Sequence, residues 1–351
     1  MRIIGTEFKI KEGVWIMSFR EDFFRILEGK KPLHDIPYYN MMGAMAGQKN
    51  GVVMFPLGIA DMGKIATTGY DSWGLEYVMD IYKMGFIHKP GKILLKDVRQ
   101  WRDVVKAPDH SNYDWEAGAE KDLANVQFDK ETQVSYVWYG GDFFLKLVGF
   151  MGFEGALVAM YEEPTAVKEM FDYIADYYCM VVDKIATLYK PDVMVFGDDN
   201  AADKFPFVSY ELFQELLLPY YKRVFDVAKQ HGIIIGYHNC GKCEAFMDDM
   251  VEIGMQVWNC ATTYNDLEAF EKRHGNRILL ELTPRIYPHF TEEQARQLVR
   301  DTIDKYGPGG YIVWIGGTAV TTDEGRQVDA WVFDEVAKYG KGFYDRLAAT
   351  V

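Results

Sequence analysis

No apolar run in this 351-residue chain reaches the ~18–20 residues that a membrane-spanning helix needs. The N-terminus, MRIIGTEFKIKEG, lacks the long apolar centre of a signal peptide. A cytoplasmic location is therefore the expectation. Cationic side chains are in the minority: 38 Lys and Arg stand against 52 Asp and Glu, for a net charge of −14. Such a chain repels polyanions at long range, so neither nucleic acid nor an anionic membrane is expected as a partner. Neither G-x-G-x-x-G nor G-x-x-x-x-G-K-[ST] occurs, which argues against a nucleotide-binding open sheet. Internal repeats, low-complexity runs and linkers are also missing, so residues 1–351 read as one domain. Cysteine is sparse, with only Cys179, Cys240, Cys243 and Cys260, but three of the four fall close together. In a reducing compartment, clustered thiols suggest a metal or redox site before a structural disulfide.

Apolar residues make up 49% of the chain, enough for a full core, and aromatics 15%. The C-terminal two-thirds alternates strand and helix. Strands are predicted at Asp192–Asp199, Ile233–Cys240, Gln256–Thr262, Arg277–Pro284 and Tyr311–Thr318. The intervening helices include Ser209–Gln230, capped by Ser209 and interrupted at Pro219, and Thr291–Tyr306, capped by Thr291. Gly51–Pro56 and Thr132–Tyr139 read as two further strands. Alternation of this kind implies parallel strands with helical crossovers. The expected fold is a single (β/α)₈ TIM barrel with a helical extension over residues 1–35. The weakly periodic stretch from Gly69 to Asp109 is expected to run over the barrel mouth.

In such a barrel the active site lies at the C-terminal strand ends. Four successive ends here carry Asp198-Asp199, His238-Asn239-Cys240, Asn259-Cys260 and Glu281. His238 and Cys240 are two apart on a strand and so share a face. Imidazole with thiolate suits zinc, and Cys260 on the neighbouring strand would complete three ligands, leaving the fourth position for substrate. Glu281 and Cys243 are the alternative third ligands. Asp198 and Asp199 are either a general acid and base or polar anchors. Glu281 is either a buried, paired carboxylate or part of the catalytic group. Cys179, in a helical stretch, reads as core.

The order Gly197-Asp198-Asp199, Val208 to Phe213, Leu218-Pro219-Tyr220 and His238-Asn239-Cys240-Gly241 resembles the uroporphyrinogen decarboxylase-like superfamily. Arg25 to Pro32, Ile36-Pro37, Asp71 to Gly74 and Trp101 to Pro108 fit the same resemblance, which spans nearly the whole chain. It implies a barrel, and a choice between decarboxylases and corrinoid-linked methyltransferases. The decarboxylases hold their polycarboxylate substrate with an Arg-Gln-Ala-Gly-Arg segment. Here that region is Asn40 to Asn50, with no arginine. The thiol-methylating members bind zinc through His-x-Cys, matched by His238 and Cys240, and through a cysteine near the last strand, which Val313 to Thr318 does not supply. Cys260 falls instead near the place where cobalamin-independent methionine synthase supplies a glutamate ligand.

The resemblance thus implies a zinc-dependent methyltransferase that moves a methyl group between a small substrate, such as a methoxylated aromatic, and the cobalt of a corrinoid. No histidine here sits in the Asp-x-His-x-x-Gly setting of corrinoid-binding modules, so the corrinoid is expected on a separate partner protein. The competing readings are a metal-free lyase using Asp198 or Asp199, and a non-catalytic barrel subunit.

Overall fold

Seven short, apolar segments pair side by side in the computed structural model, which describes residues 19–47, 51–59, 61–80, 85–318, 320 and 322–350. In chain order the strands are β1 (Val52–Met54), β2 (Tyr77–Asp80), β3 (Gly85–His88), β4 (Val134–Gly140), β5 (Val193–Gly197), β6 (Ile234–Asn239), β7 (Met255–Cys260), β8 (Leu279–Leu282) and β9 (Ile312–Trp314). All but β2 and β3 form one parallel sheet in the order β1-β4-β5-β6-β7-β8-β9. The apolar run Val193–Phe196 is buried at every position, as expected of a parallel strand covered on both faces. Each of the seven falls within or beside a stretch that the alternation marks as a strand.

The crossovers also follow local chemistry. Ser209 accepts from the Leu212 amide at 3.2 Å and opens the helix Tyr210–Leu216. Pro219 begins a second helix, Leu218–Gln230, so the expected interruption is a clean break. Thr291 caps Glu292–Tyr306 through a capping box with Gln294. The longest helix, Pro164–Leu188, carries eleven buried residues that face the sheet and its neighbours.

The sheet is curled. At its last edge Tyr38 bridges parallel to Trp314, with Tyr39 N donating to the Trp314 carbonyl at 3.0 Å. The Tyr39 hydroxyl then meets the Tyr136 hydroxyl of β4 on one carboxylate, Glu281 of β8. Residues from distant parts of the strand order can converge this way only if the sheet bends back on itself. Among the described residues the ring has seven strands plus the Tyr38 bridge; pairing between the Tyr38 segment and β1, which would close eight, is not seen there.

Residues 1–18 of the expected helical extension lie outside the described residues; Phe19–Leu27 is a helix. Its Arg20 forks onto Asp192 at 2.6 and 2.8 Å, tying the helix to the start of β5. The Gly69–Asp109 stretch contains the antiparallel hairpin β2–β3. It rests on the helix Phe144–Met151, where a Cβ at Gly149 would stand 2.5 Å from Leu75 and 2.6 Å from His88. Among the described residues no single helix is long and apolar enough to cross a membrane. One pair, Phe144–Met151 and Phe153–Glu162, passes that test only together and is bent by 113°.

Candidate active site

Strand alternation sorts the sheet into two faces. Tyr237, Trp258 and Cys260 lie in register on the face covered by helices, where Trp258 meets Phe270 of the helix Leu267–His274. Gly197, His238, Asn259 and Glu281 lie in register on the other face, inside the curl. Tyr136 and Trp138 of β4 join them, with the Trp138 ring 5.3 Å from that of His238.

At the C-terminal ends of β5 and β6, Asp199, His238 and Cys240 bring a carboxylate oxygen, an imidazole nitrogen and a sulfur within 4.8 Å of one another. His238 Nε2 stands 3.1 Å from Cys240 Sγ and 3.9 Å from Asp199 Oδ1. Asp199 Oδ1 also accepts the Cys240 amide at 2.8 Å, which couples the two loops. Their close approach depends on Gly241: a Cβ there would fall 2.2 Å from the Ala201 carbonyl oxygen. Asn239 shapes the same turn, donating to Asp198 O and Asn200 Oδ1 and accepting from the Gly241 amide.

The electrostatics follow from this geometry. Burial of His238 disfavours its charged form, but the Cys240 sulfur and the Asp199 carboxylate outweigh it, and the imidazole is pushed up to about 10. His238 Nδ1 lies 2.9 Å from Asn259 Oδ1, and Asn259 Nδ2 donates to Glu281 Oε2 at 3.1 Å. Behind them Tyr39 and Tyr136 donate to Glu281 Oε1 at 2.9 and 2.7 Å.

The expected site residues separate into groups. His238, Cys240 and Asp199 are brought together. Cys260 is not: its register partner is Asn239 rather than His238, so its side chain leaves on the opposite face. Its sulfur is buried against Thr262 and the Glu281 carbonyl, and burial pushes the thiol up to about 12. The geometry thus does not bring Cys260 together with His238 and Cys240 as the expected triad has it. Neighbouring strand ends are close in space, but a one-residue offset in register reverses the face.

Cys243 is likewise buried apart from the cluster, and its thiol is raised well above its ordinary value by burial. Asp198 turns into the protein. It accepts the amides of Phe143, Phe144 and Leu145 at 2.7–3.0 Å and the Tyr221 hydroxyl at 2.6 Å, satisfying the free N–H groups that open Phe144–Met151. Burial first, and then the charge of Asp142, push it up to about 7. Glu281 is fully buried and reaches His238 only through Asn259.

A cavity of about 1110 Å³ reaches Trp138, whose ring neighbours His238, and is lined by Met45, Met54, Phe55 and Phe128 together with Asp122, Asp129 and Gln133; Asp199, His238 and Cys240 do not line it. Sequence reasoning missed Asn259, Tyr136 and Trp138 as site residues. Their roles depend on strand register, and the only available signal was alternation: Tyr136 and Trp138 lie two apart on a strand.

The comparisons with known proteins agree with this architecture. The model of the uroporphyrinogen decarboxylase (URO-D) family matches residues 144–334, more than half of the chain, and the chain belongs to that family. Among solved structures, a methyltransferase from Methanosarcina mazei superposes with a TM-score of 0.61 at 10% identity, covering 92% of this chain and 99% of that one. At this identity the likeness is one of fold. A dihydropteroate synthase from Xanthomonas albilineans matches 49% of this chain and 62% of its own at 13% identity, with a TM-score of 0.36. No curated protein matches the chain by sequence.

Proposed function

We propose that this protein is a zinc-dependent methyltransferase that moves a methyl group between the heteroatom of a small substrate and the cobalt of a corrinoid held by a separate protein. The observation that carries the reading is the convergence of Asp199, His238 and Cys240 at the C-terminal strand ends. The donor set fits the metal: one imidazole nitrogen, one thiol and one carboxylate suit zinc and leave a fourth position open. Asp199 takes the third place that the sequence assigned to Cys260. Zinc held there would supply Lewis acidity to the substrate heteroatom.

The chain's own residues do the rest. Asn259 holds the His238 ring, Asp199 fixes the Cys240 loop through its amide, and Trp138 walls the side of the cluster next to the cavity. Phe55, Phe128, Met54 and Leu57 give that cavity an apolar part alongside Asp122, Asn125, Asp129 and Gln133, a mixed lining that suits a flat substrate with polar substituents, such as a methoxylated aromatic. Asp198 is occupied by four hydrogen bonds and acts as an anchor rather than an acid or base, which weighs against the metal-free lyase reading. We also infer that the barrel closes as an eight-membered ring through the Tyr38 segment, which already bridges to Trp314.

The test mixes the purified protein with a reduced corrinoid protein and a candidate methyl donor, and follows methylation of the corrinoid in its absorption spectrum. Methylation that requires both this chain and its zinc is the expected result. No change across methoxylated aromatics, methanol and methylamines, with no demethylation of the methylated corrinoid protein by thiols, would overturn the reading.

A further inference from the structure

His238, Asn259 and Glu281 stand side by side in register across β6, β7 and β8. Glu281 is fully buried in the interior of the curl, where a carboxylate costs stability unless donors surround it. Three do: the hydroxyls of Tyr39 and Tyr136 and the amide NH₂ of Asn259. The two tyrosines come from distant parts of the strand order, the segment bridged to β9 and strand β4, and their rings meet 6.0 Å apart, so the carboxylate is clamped independently of the metal cluster.

We propose that Glu281 is a positioning residue that determines which nitrogen of His238 faces Cys240 and Asp199, by holding the Asn259 side-chain amide in one orientation. The proposal rests on the reading of Asp199, His238 and Cys240 as a zinc site. An ionised carboxylate can only accept hydrogen bonds, so the Asn259 NH₂ must turn towards Glu281 and its carbonyl towards His238. A carbonyl oxygen also only accepts, so His238 Nδ1 must carry a hydrogen. Once the ring has given up the proton that a metal displaces, Nε2 is the nitrogen left with a lone pair, and it is Nε2 that lies 3.1 Å from the Cys240 sulfur. An asparagine amide has nearly the same shape in both orientations, so only its partners choose between them. The Glu281–Asn259 pair thus sets the polarity of the whole row, and the tyrosine clamp keeps the carboxylate from turning away.

A reversal of polarity follows that a merely structural role would not produce. In Glu281→Gln the new NH₂ can face Asn259, whose amide then flips and presents its own NH₂ to His238 Nδ1. That favours hydrogen on Nε2 and removes the lone pair needed for the metal. Adding Asn259→Asp restores the order, because the new carboxylate accepts both from the introduced side-chain amide and from His238 Nδ1.

The experiment measures zinc affinity of the full-length protein by competition with a chromophoric chelator, with circular dichroism to check folding. E281Q is expected to bind zinc about 10-fold to 100-fold more weakly than the parent, the range typical of groups that orient metal ligands. The double variant N259D/E281Q is expected to recover most of that loss. Equal affinity of E281Q and parent, or no recovery in the double variant, would overturn the positioning role while leaving the zinc site intact. A parent protein that binds no zinc would instead overturn the metal reading, and this role with it.

Should E281Q fail to fold, Asn259 alone decides. N259D sets a second carboxylate beside Glu281, where the pair takes up one proton, and still keeps an acceptor for His238 Nδ1; it should hold zinc within a few-fold of the parent. N259L should lose roughly 10-fold or more, and equal affinities in these two would overturn the proposal.

Discussion

His238 Nε2 and Cys240 Sγ stand 3.1 Å apart because they are two residues apart at one strand end and share its inward face. With the Asp199 carboxylate nearby, the pair stabilises the imidazolium, and the His238 folded-state value of about 10 lies above its ordinary 6.5. The sign follows from linkage. This pairing adds stability to the metal-free protein that is fully present below pH 6.5 and lost as pH rises through about 10. A metal must displace that proton, so zinc binding near neutral pH should release at least one proton per site and tighten as pH rises. Calorimetry in two buffers of different ionisation enthalpy measures it; binding without proton release would contradict the arrangement.

Cys260 provides a sharp contrast with Cys240. Its sulfur lies buried against Thr262 and the Glu281 carbonyl, on the face away from His238. Cys260→Ala should retain zinc in full and lose about 1–2 kcal/mol of stability from the buried side-chain atoms removed. Loss of zinc in this variant, with the fold intact, would return Cys260 to the ligand set.

The hairpin β2–β3 is tied to the helix Phe144–Met151 through the buried Lys146–Asp71 ion pair, 3.0 Å long and almost fully excluded from solvent. Asp71 also accepts the amides of Trp73 and Leu75. Lys146→Met leaves that carboxylate buried without its cation and should cost about 3–5 kcal/mol. The double variant Asp71→Asn/Lys146→Met should recover much of the loss in a denaturant titration, since the amide oxygen still meets both backbone donors.

Asp198 ties β5 to the same helix. Its folded-state value of about 7 lies above the ordinary 3.8, chiefly through burial. Its contribution to stability is therefore full below about pH 4 and falls as pH rises through 7. Asp198→Asn, which cannot ionise, should flatten that part of the pH–stability profile. An unchanged slope between about pH 4 and 8 would show that the carboxylate titrates elsewhere.

Much of this arrangement was legible in the residues. Apolar runs separated by capped helices located all seven parallel strands, and Ser209, Thr291 and Pro219 mark helix boundaries as their chemistry demands. His238-x-Cys240 announced a shared face because strand periodicity is local. What the chain could not reveal was register between strands. Asn259 and Cys260 are adjacent in sequence, yet one faces His238 and the other the helices. The choice is made by how β7 slides against β6, a tertiary property in which a one-residue shift exchanges the two faces. The same holds for Asp198 and Asp199, whose opposite roles depend on a helix start 55 residues away in the chain. Tyr39 and Tyr136 meet Glu281 only because the sheet curls, and nothing near them in sequence marks that meeting.

The most direct test of the proposed zinc site is the metal content of the protein purified without added metal, measured by elemental mass spectrometry beside its Asp199→Ala, His238→Ala and Cys240→Ala variants. About one zinc per chain is expected in the parent, in keeping with the one three-ligand cluster found among the described residues. Little or none is expected in the His238 and Cys240 variants and a reduced amount in the Asp199 variant, with all of them folded, because the core around the curled sheet does not depend on the metal. A folded Cys240→Ala protein carrying as much zinc as the parent would contradict the assignment.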